Sequence, residues 1–361
     1  MRFPEFSGEW VETELQDIVP NICSGKDRIS NSGEVALYGS TGVIGRTNSA
    51  SYKENIVLVA RVGANAGQMQ IGNAPCGVTD NTLVIDAKEW NYYIYYFLQH
   101  YNLNRLVFGS GQPLITGGML KRIKVRYGCK AERNNITRLL CLIDERIATQ
   151  NKIIEKYESL IQAISQKVLR PSEYWNEYRL CELADIRSGY SGNQVSHKTA
   201  YAVSRIETIS KHRIDMLRVG YVQDIPSEYK LNVGDILFSN INSIQYIGNT
   251  AFVDKEYNLY HGMNLLRIIP KPSLVIPRFL HLILCTSMAI KHFQSICNKA
   301  VSQASINQTS LGKIMLHIPP LTCQEQICNV FESVEQRLNL EVYYLKRIQL
   351  QKNYLLRQMF I

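Results

Sequence analysis

The apolar positions of this chain fall into two long runs with one rhythm. From Ile136 the run continues through Leu140, Ile143, Ile147, Ile154, Tyr157, Ile161, Ile164 and Val168, stepping by four and three residues in turn. That spacing keeps one stripe on one side of an α-helix, the a/d pattern of a helix that packs along another. The stripe returns 191 residues later as Ile327, Phe331, Val334, Leu338, Leu345, Ile348, Leu355 and Met359. A polar residue interrupts both copies at the same place, Gln150 and Glu341, and Lys352 is a further departure in the second. Two unrelated amphipathic helices would not share register, length and the position of a flaw. The pattern predicts helices over 132–169 and 323–361 that pair as an antiparallel coiled coil, with Gln150 near Glu341. Pro171 ends the first, because proline lacks the amide that a helix interior needs.

The segments before the helices repeat as well. "SGQPLITGGMLKRIKV" from Ser110 and "VSQASINQTSLGKIML" from Val301 share Gln112/Gln303, Ile115/Ile306, Leu120/Leu311 and Ile123/Ile314 at the same offset. "ETELQDIV" from Glu12 resembles "RLCELADI" from Arg179, but at an offset of 168. The second half therefore holds about 23 extra residues, in its globular part. "NIVLVARVG" (55–63) and "DILFSNIN" (235–242) read as strands ending in turns, as do "NTLVI" (81–85) and "NLLRI" (264–268). Trp90–Leu106 and Pro277–Phe293 read as helices, and the tyrosines of the first have the helical spacing of core residues. The expected architecture is α+β, an internal pseudo-twofold repeat: 1–131 globular, 132–169 helix, 170–177 linker, 178–322 globular, 323–361 helix.

Composition adds an acidic partner to this picture. The 361 residues include 40 Lys and Arg against 31 Asp and Glu, a net charge of +9, and 45% are hydrophobic. Such a chain can bury ordinary cores, and its basic balance suits nucleic acid. Nine cysteines are scattered without a CxxC pair, and the seven histidines show no ligand spacing. "MRFPEFSGEW" carries no apolar signal core, and "FLHLILCTSMAI" is short of the ~20 residues of a membrane helix. The expectation is a cytoplasmic protein with reduced thiols and no metal.

Catalytic motifs do not assemble. "LGKIM" lacks the hydroxyl residue and leading glycine of a phosphate loop, and "YGSTGVIG" does not space its glycines as a dinucleotide fingerprint does. "HIPPL" has apolar residues where an adenine methyltransferase needs a polar one. Asp224 with Glu228 and Lys230 fits a solvated turn after Pro226 better than a nuclease triplet. DNA reading is better served. Arg and Lys suit guanine and phosphate, Asn and Gln suit adenine. Lys26, Arg28, Ser40, Thr41, Arg46, Arg61, Asn65 and Gln68 lie in predicted turns of the first half, with Ser110 and Gln112 in the repeated motif. Arg187, Tyr190, Asn193, Gln194, His197, Lys198, Asn240, Asn242, Gln245 and Gln303 do so in the second. Each alone is as readily an exposed turn residue; the clusters at equivalent loops are the candidates.

The ordered, doubled set resembles the specificity subunit of a type I restriction–modification system. "MRFPEFSGEWVETELQDI", the Gln-x-x-Ile motif, "IPPLTCQEQI" (318–327) and the long helices all contribute. "YGSTGVIG" with "VTDNTLVI" (78–85) is similar to one common type of target-recognition domain. The first half departs from the pattern, with Gly128-Cys129 and Asn134-Asn135 where the second has Pro319-Pro320 and Glu325-Gln326. The resemblance implies a non-catalytic host-defence protein whose two target-recognition domains each read half of a split site on double-stranded DNA. It implies two methyltransferase subunits and motor-nuclease subunits as partners, which would hold S-adenosylmethionine, ATP and Mg²⁺. A helix of 38 residues spans about 57 Å at ~1.5 Å per residue, more than one DNA turn of roughly 34–36 Å. Two further readings stay open: the specificity subunit of a compact system with a fused methyltransferase-nuclease partner, and a coiled-coil scaffold that binds no DNA.

Overall fold

The computed structural model describes residues 2–19, 21–109, 113–299 and 303–360. It divides into two compact units: Met1–Ile153 with Glu341–Ile361, and Ile154–Leu340.

In the first unit β1 (Val11–Glu14) runs into one helical turn, α1 (Leu15–Ile18). β2 (Ile22–Ser24), β5 (Ile56–Ala60), β6 (Met69–Gly72) and β8 (Thr82–Ile85) form an antiparallel sheet in the order β2-β8-β5-β6. β3 (Val35–Gly39), β4 (Gly42–Thr47) and β7 (Cys76–Val78) make a second sheet, order β4-β3-β7. The unbroken apolar run of β5 is explained by burial on both faces, since alternate side chains point to opposite sides. Ile56 and Leu58 pack with Tyr38, Cys76 and Val78 of the second sheet. Val57 and Val59 pack against α2 (Asn91–Tyr101). Tyr93 and Tyr96 of that helix are core residues; their hydroxyls donate to the Arg126 carbonyl at 2.7 Å and to Asp144 Oδ2 at 2.9 Å. The helix stops at Tyr101, short of the expected Leu106, because Asn102 turns left-handed (φ 61°) and a 3-10 turn over Leu103–Leu106 follows. After α3 (Gly117–Lys121), β9 (Lys124–Tyr127) pairs back onto β1.

The long helix α4 (Lys130–Val168) then begins. Ile136 and Leu140 enter the core together with Leu356, Met359 and Phe360. Within this unit the segment from 341 runs antiparallel to α4. Lys352 Nζ meets Asp144 Oδ1 at 2.6 Å, and Gln150 Nε2 donates to Glu341 Oε2 at 2.6 Å and to the Glu341 carbonyl at 3.1 Å. The two interruptions of the apolar stripe therefore face each other, both buried.

The second unit repeats the plan. β10 (Asn176–Arg179) pairs with β24 (Met315–Ile318), and α5 (Leu180–Leu183) follows β10 as α1 follows β1. β11 (Ala184–Ser188), β17 (Ile236–Ser239), β19 (Thr250–Phe252) and β21 (Leu265–Pro270) form the sheet β11-β21-β17-β19. The second sheet differs: β12 (Gln194–Val195), β13 (Tyr201–Val203), β16 (Gly220–Val222) and β20 (Leu259–Tyr260), with a small hairpin of β14 (Ile209–Ser210) and β15 (Arg213–Ile214). These segments hold part of the insertion. The expected helix over 277–293 is two helices, α6 (Pro277–Leu284) and α7 (Ser287–Ile296). Thr286 adopts an extended conformation and its hydroxyl accepts from Ala289 N, so it caps a new helix instead of continuing the old one. A three-stranded sheet of β18 (Ile241–Asn242), β22 (Asn298–Lys299) and β23 (Ala304–Ser305), then α8 (Gln308–Gly312), lead through β24 to α9 (Leu321–Met359). Ile327 and Phe331 of α9 pack with Ile161, Ile164 and Val168 of α4 in the core of this unit.

Equivalent bonds tie equivalent elements. Leu15 N–H donates to the Ile123 carbonyl at 2.8 Å, and Leu180 N–H to that of Ile314 at 2.9 Å. The departures at the start of the first long helix are absorbed locally. Arg133, equivalent in sequence to Gln324, is buried and stacks on Trp90 at 3.4 Å. Gln324 instead donates to the Pro319 carbonyl at 2.8 Å and accepts from Ile276 N at 2.8 Å. Glu132 is held by Arg2 at 2.6 and 2.7 Å. No helix among the described residues is long and apolar enough to cross a membrane.

Buried histidines make the second unit acid-sensitive, His261 and His281 among them. His261 Nε2 lies 2.9 Å from the Leu265 carbonyl, and burial pushes the imidazole down to about 4. The unfolded chain protonates near 6.5, so it binds the proton first as pH falls. Stability is full above about 6.5 and drops through about 4, by roughly 3 kcal/mol from this residue. Urea melts of the full chain at pH 7 and pH 4.5 should show the loss, and His261→Gln should lessen it by this residue's share while buried His281 keeps its own. A His261→Gln chain with the unaltered pH slope contradicts the assignment.

Candidate nucleic-acid interface

In the first unit most of the predicted residues lie in turns at strand ends, whereas Arg46, expected in a turn, lies on β4. After β2, Asp27 turns inward; its carboxylate accepts from Val78 N at 2.8 Å and from Ser51 Oγ at 2.7 Å. Neighbours in extended chain point oppositely, so Lys26 and Arg28 face outward and are exposed. Ser40, half-buried, and Thr41, exposed, form the two-residue turn between β3 and β4. Arg46 is exposed on β4, with Nη1 donating to the Glu34 carbonyl at 2.6 Å. β5 leads into a tight turn, where Gly63 (φ 81°) and Gly67 (φ 85°) take conformations that side-chain-bearing residues rarely adopt. Arg61 and Asn65 are half-buried there and Gln68 is exposed. Gln70 joins the two turns, donating to the Gly39 carbonyl at 2.7 Å. Ser110 and Gln112 lie outside the described residues.

In the second unit the predicted residues separate into two groups. Arg187, Asn193, Gln194, His197 and Lys198 are exposed along β11, β12 and the bend after it. Tyr190 is between them, but its ring packs on Val203, Val222 and Ile225 and meets Tyr229 at 5.4 Å. The other group follows β17. Asn242 spends its side chain on its own turn, donating to Ser239 Oγ at 3.1 Å and accepting from Ser243 N at 2.8 Å. Asn240 Oδ1 is shielded and has no partner among the described residues. Gln245 is exposed, and exposed Gln303 directly precedes β23, whose Ala304 faces Asn242.

One bond recurs at the centre of both clusters. The Ile of the repeated Gln-x-x-Ile motif donates to the residue just past the central strand. Ile115 N–H reaches the Arg61 carbonyl at 2.9 Å, and Ile306 N–H reaches the Asn240 carbonyl at 2.9 Å. The Ile of the motif is therefore an anchor that ties the short helix after it to the strand-end turn. Its short helix is capped alike in each unit, by Thr116 accepting from Met119 N and by Asn307 accepting from Ser310 N.

Several exposed residues beside these clusters were not singled out by sequence. Ile29 in the turn after β2 and Val43 and Ile44 on β4, the strand of Arg46, are exposed, and exposed Ile244 and Tyr246 flank Gln245 in sequence. Apolar side chains at such places can meet a thymine methyl group. The available signal was apolar residues inside polar turns, as in "TGVIG". Asp224, weighed as part of a nuclease triplet, accepts from Ile225 N at 2.8 Å in an ordinary turn.

The sequence pattern of the type I restriction modification DNA specificity domain matches residues 7–159 and again 172–349. The chain belongs to that family. The MjaX type I restriction enzyme specificity subunit of Methanocaldococcus jannaschii is 38% identical over 184 residues, 48% of this chain and 43% of that protein. That match thus spans less than half of the archaeal protein. A type I specificity subunit of Haemophilus influenzae is 21% identical over 361 residues, covering 92% of this chain and 89% of its own. Among solved structures, the S subunit of a type I restriction-modification system from M. genitalium shares the fold with a TM-score of 0.65 at 15% identity, covering 98% of this chain and 96% of that one. A chain from a type I system studied for its assembly and conformational transition gives 0.58 at 13% identity, covering 100% and 98%. The family's duplicated domain accounts for the two units.

Proposed function

We propose that this chain is the non-catalytic DNA-specificity subunit of a type I restriction–modification complex. Each unit reads one half of a split site, using the strand-end turns anchored by Ile115 and Ile306. The observation that supports this most is that recurring anchor: one scaffold bond holds two turn clusters of different side chains, as two different half-targets require. Arg28, Arg46 and Arg61 face guanine or phosphate in the first half; Gln194, Gln245 and Gln303 serve the second. The exposed faces of the long helices dock two methyltransferase subunits, and motor-nuclease subunits join through these. S-adenosylmethionine, ATP and Mg²⁺ belong to those partners in the cytoplasm.

Cells carrying the chain with its methyltransferase should show adenine methylation at an asymmetric split motif. Arg46→Ala with Arg61→Ala should relax the first half-motif only, each change costing about 1–3 kcal/mol if it contacts a base. The purified chain alone should neither methylate nor cleave, and its DNA retention should fall steeply with salt. Retention that is absent at low salt would favour a scaffold instead. Methylation and cleavage arising from a single partner chain would place the protein in a compact system.

A further inference from the structure

The second unit gathers three side chains that play no part in the turns described above. His212 sits at the tip of the β14–β15 hairpin, His281 on α6, and Cys285 one helical turn after His281. Cys285 Sγ lies 3.4 Å from His212 Nδ1 and 3.4 Å from His281 Nε2. All three ligand atoms fall within 4.8 Å of one another. A tetrahedral Zn²⁺ with bonds of about 2.3 Å to sulfur and 2.0–2.1 Å to nitrogen has an N···S edge of about 3.5 Å. Both observed edges match it. We propose that His212, His281 and Cys285 form a three-ligand site for Zn²⁺, which clips the β14–β15 hairpin to α6.

The surroundings suit a borderline-soft ion. One thiolate and two imidazoles select zinc over Mg²⁺ or Ca²⁺, which take oxygen ligands. His281 is buried and Cys285 half-buried, whereas His212 is exposed, so an ion can arrive from solvent past the hairpin tip. The hairpin turn places Lys211 (φ 48°) and His212 (φ 62°) both left-handed, which aims the ring inward. The backbone of Thr250 hydrogen-bonds the His212 ring, and Thr250 Oγ1 lies 3.2 Å from Cys285 Sγ. Burial holds the His281 imidazole below its ordinary range and pushes the Cys285 thiol up to about 12. The ion must displace that proton to solvent.

Arg278 opposes loading. Its Nη1 is 2.9 Å from His281 Nδ1, and a guanidinium only donates. Without metal, Nδ1 is therefore the bare nitrogen and Nε2–H points at the sulfur. With metal, Nε2 gives its lone pair to the ion, the ring proton returns to Nδ1 through solvent, and Arg278 withdraws toward Glu335. Its Nη2 already meets both Glu335 oxygens at 2.6 Å. Replacing Arg278 by Gln supplies a carbonyl that can accept from Nδ1–H, the kind of outer partner that a ligating histidine prefers.

The test titrates the metal-free full-length chain with Co²⁺. One equivalent should give a thiolate-to-cobalt charge-transfer band with strong tetrahedral visible bands, and Zn²⁺ should remove both. His212→Ala should weaken binding at least about tenfold, Arg278→Gln should tighten it about tenfold, and Cys285→Ser should abolish the charge-transfer band. His212 is on an exposed turn, so His212→Ala keeps the fold and decides the matter if Cys285→Ser does not fold. No band at all, a band that survives Cys285→Ser, or affinity unchanged in His212→Ala would each overturn the site.

Discussion

A chain stopped after Leu340 keeps its second unit and loses its first. The second unit is the continuous stretch Ile154–Leu340, and its core residues all lie between Leu169 and Phe331, with Ile161, Ile164 and Val168 packed against them. The first unit is completed by 341–360. Leu356, Met359 and Phe360 are buried there, and the Phe360 ring lies 5.4 Å from Tyr93, 5.8 Å from Phe97 and 5.7 Å from His100. Removing one buried phenylalanine side chain costs about 3–5 kcal/mol, and a domain has only about 5–15 kcal/mol to lose. The truncation removes two more core residues, the Lys352 partner of Asp144 and the Glu341 partner of Gln150. Hydrogen exchange on the truncated chain should show unprotected amides in β5 and β8 and intact protection in β17 and β21. The milder Phe360→Ala should lower the first unit's stability by about 3–5 kcal/mol and leave the second unchanged. Protected β5 amides in the truncated chain would show that the first unit does not depend on this segment.

Such a dependence was half legible in the sequence. The heptad stripe fixes which residues of each long helix are buried, because period alone determines a helix face. Its shared flaw also brought Gln150 to Glu341, since antiparallel copies of one pattern meet at their centres. Strands such as Ile56–Ala60 were readable because five consecutive apolar residues leave little else to be. Breaks inside apolar runs were not. Nothing in "FLHLILCTSMAI" signals a stop except Thr286, and a threonine caps a helix only where the backbone has already turned. The His212, His281 and Cys285 cluster is invisible to sequence spacing, because His212 precedes His281 by 69 residues and Cys285 by 73. The spacing of four between His281 and Cys285 was the visible part, one face of one helical turn. The candidate DNA-contacting residues gather near strand ends, although Arg46, Arg187, Gln194 and Asn242 lie on strands and not in turns, and residue type does not separate exposed Gln194 and Gln303 from Asn242, whose amide serves its own turn, or from Tyr190, whose ring is packed. That distinction depends on tertiary neighbours.

A fragment of residues 1–169 should form a dimer that directs methylation to a palindromic split site. The fragment keeps the whole first globular region and all of α4, but lacks the segment that completes its core. A second copy can supply it, because the missing residues have equivalents 191 positions earlier. Gln150 takes the place of Glu341, Ile164 that of Leu355, Val168 that of Met359, and Leu169 that of Phe360. An apolar stripe left exposed drives association, and a twofold dimer is the commonest closed solution. Two Gln150 amides can pair, since each both donates and accepts. The weak points are Ser165, which stands where the buried Leu356 does, and Leu169, smaller than the Phe360 ring beside Tyr93 and Phe97. The dimer should therefore be less stable than the first unit of the full chain, and Leu169→Phe within the fragment should recover part of the difference. Its two recognition regions are identical and related by a twofold axis, so the DNA halves they read must be inverted repeats. Light scattering on the fragment and methylome sequencing of cells that carry it with the methyltransferase measure both claims. A monomer that still binds specifically, or an unchanged asymmetric motif, would show that the two halves are not interchangeable units.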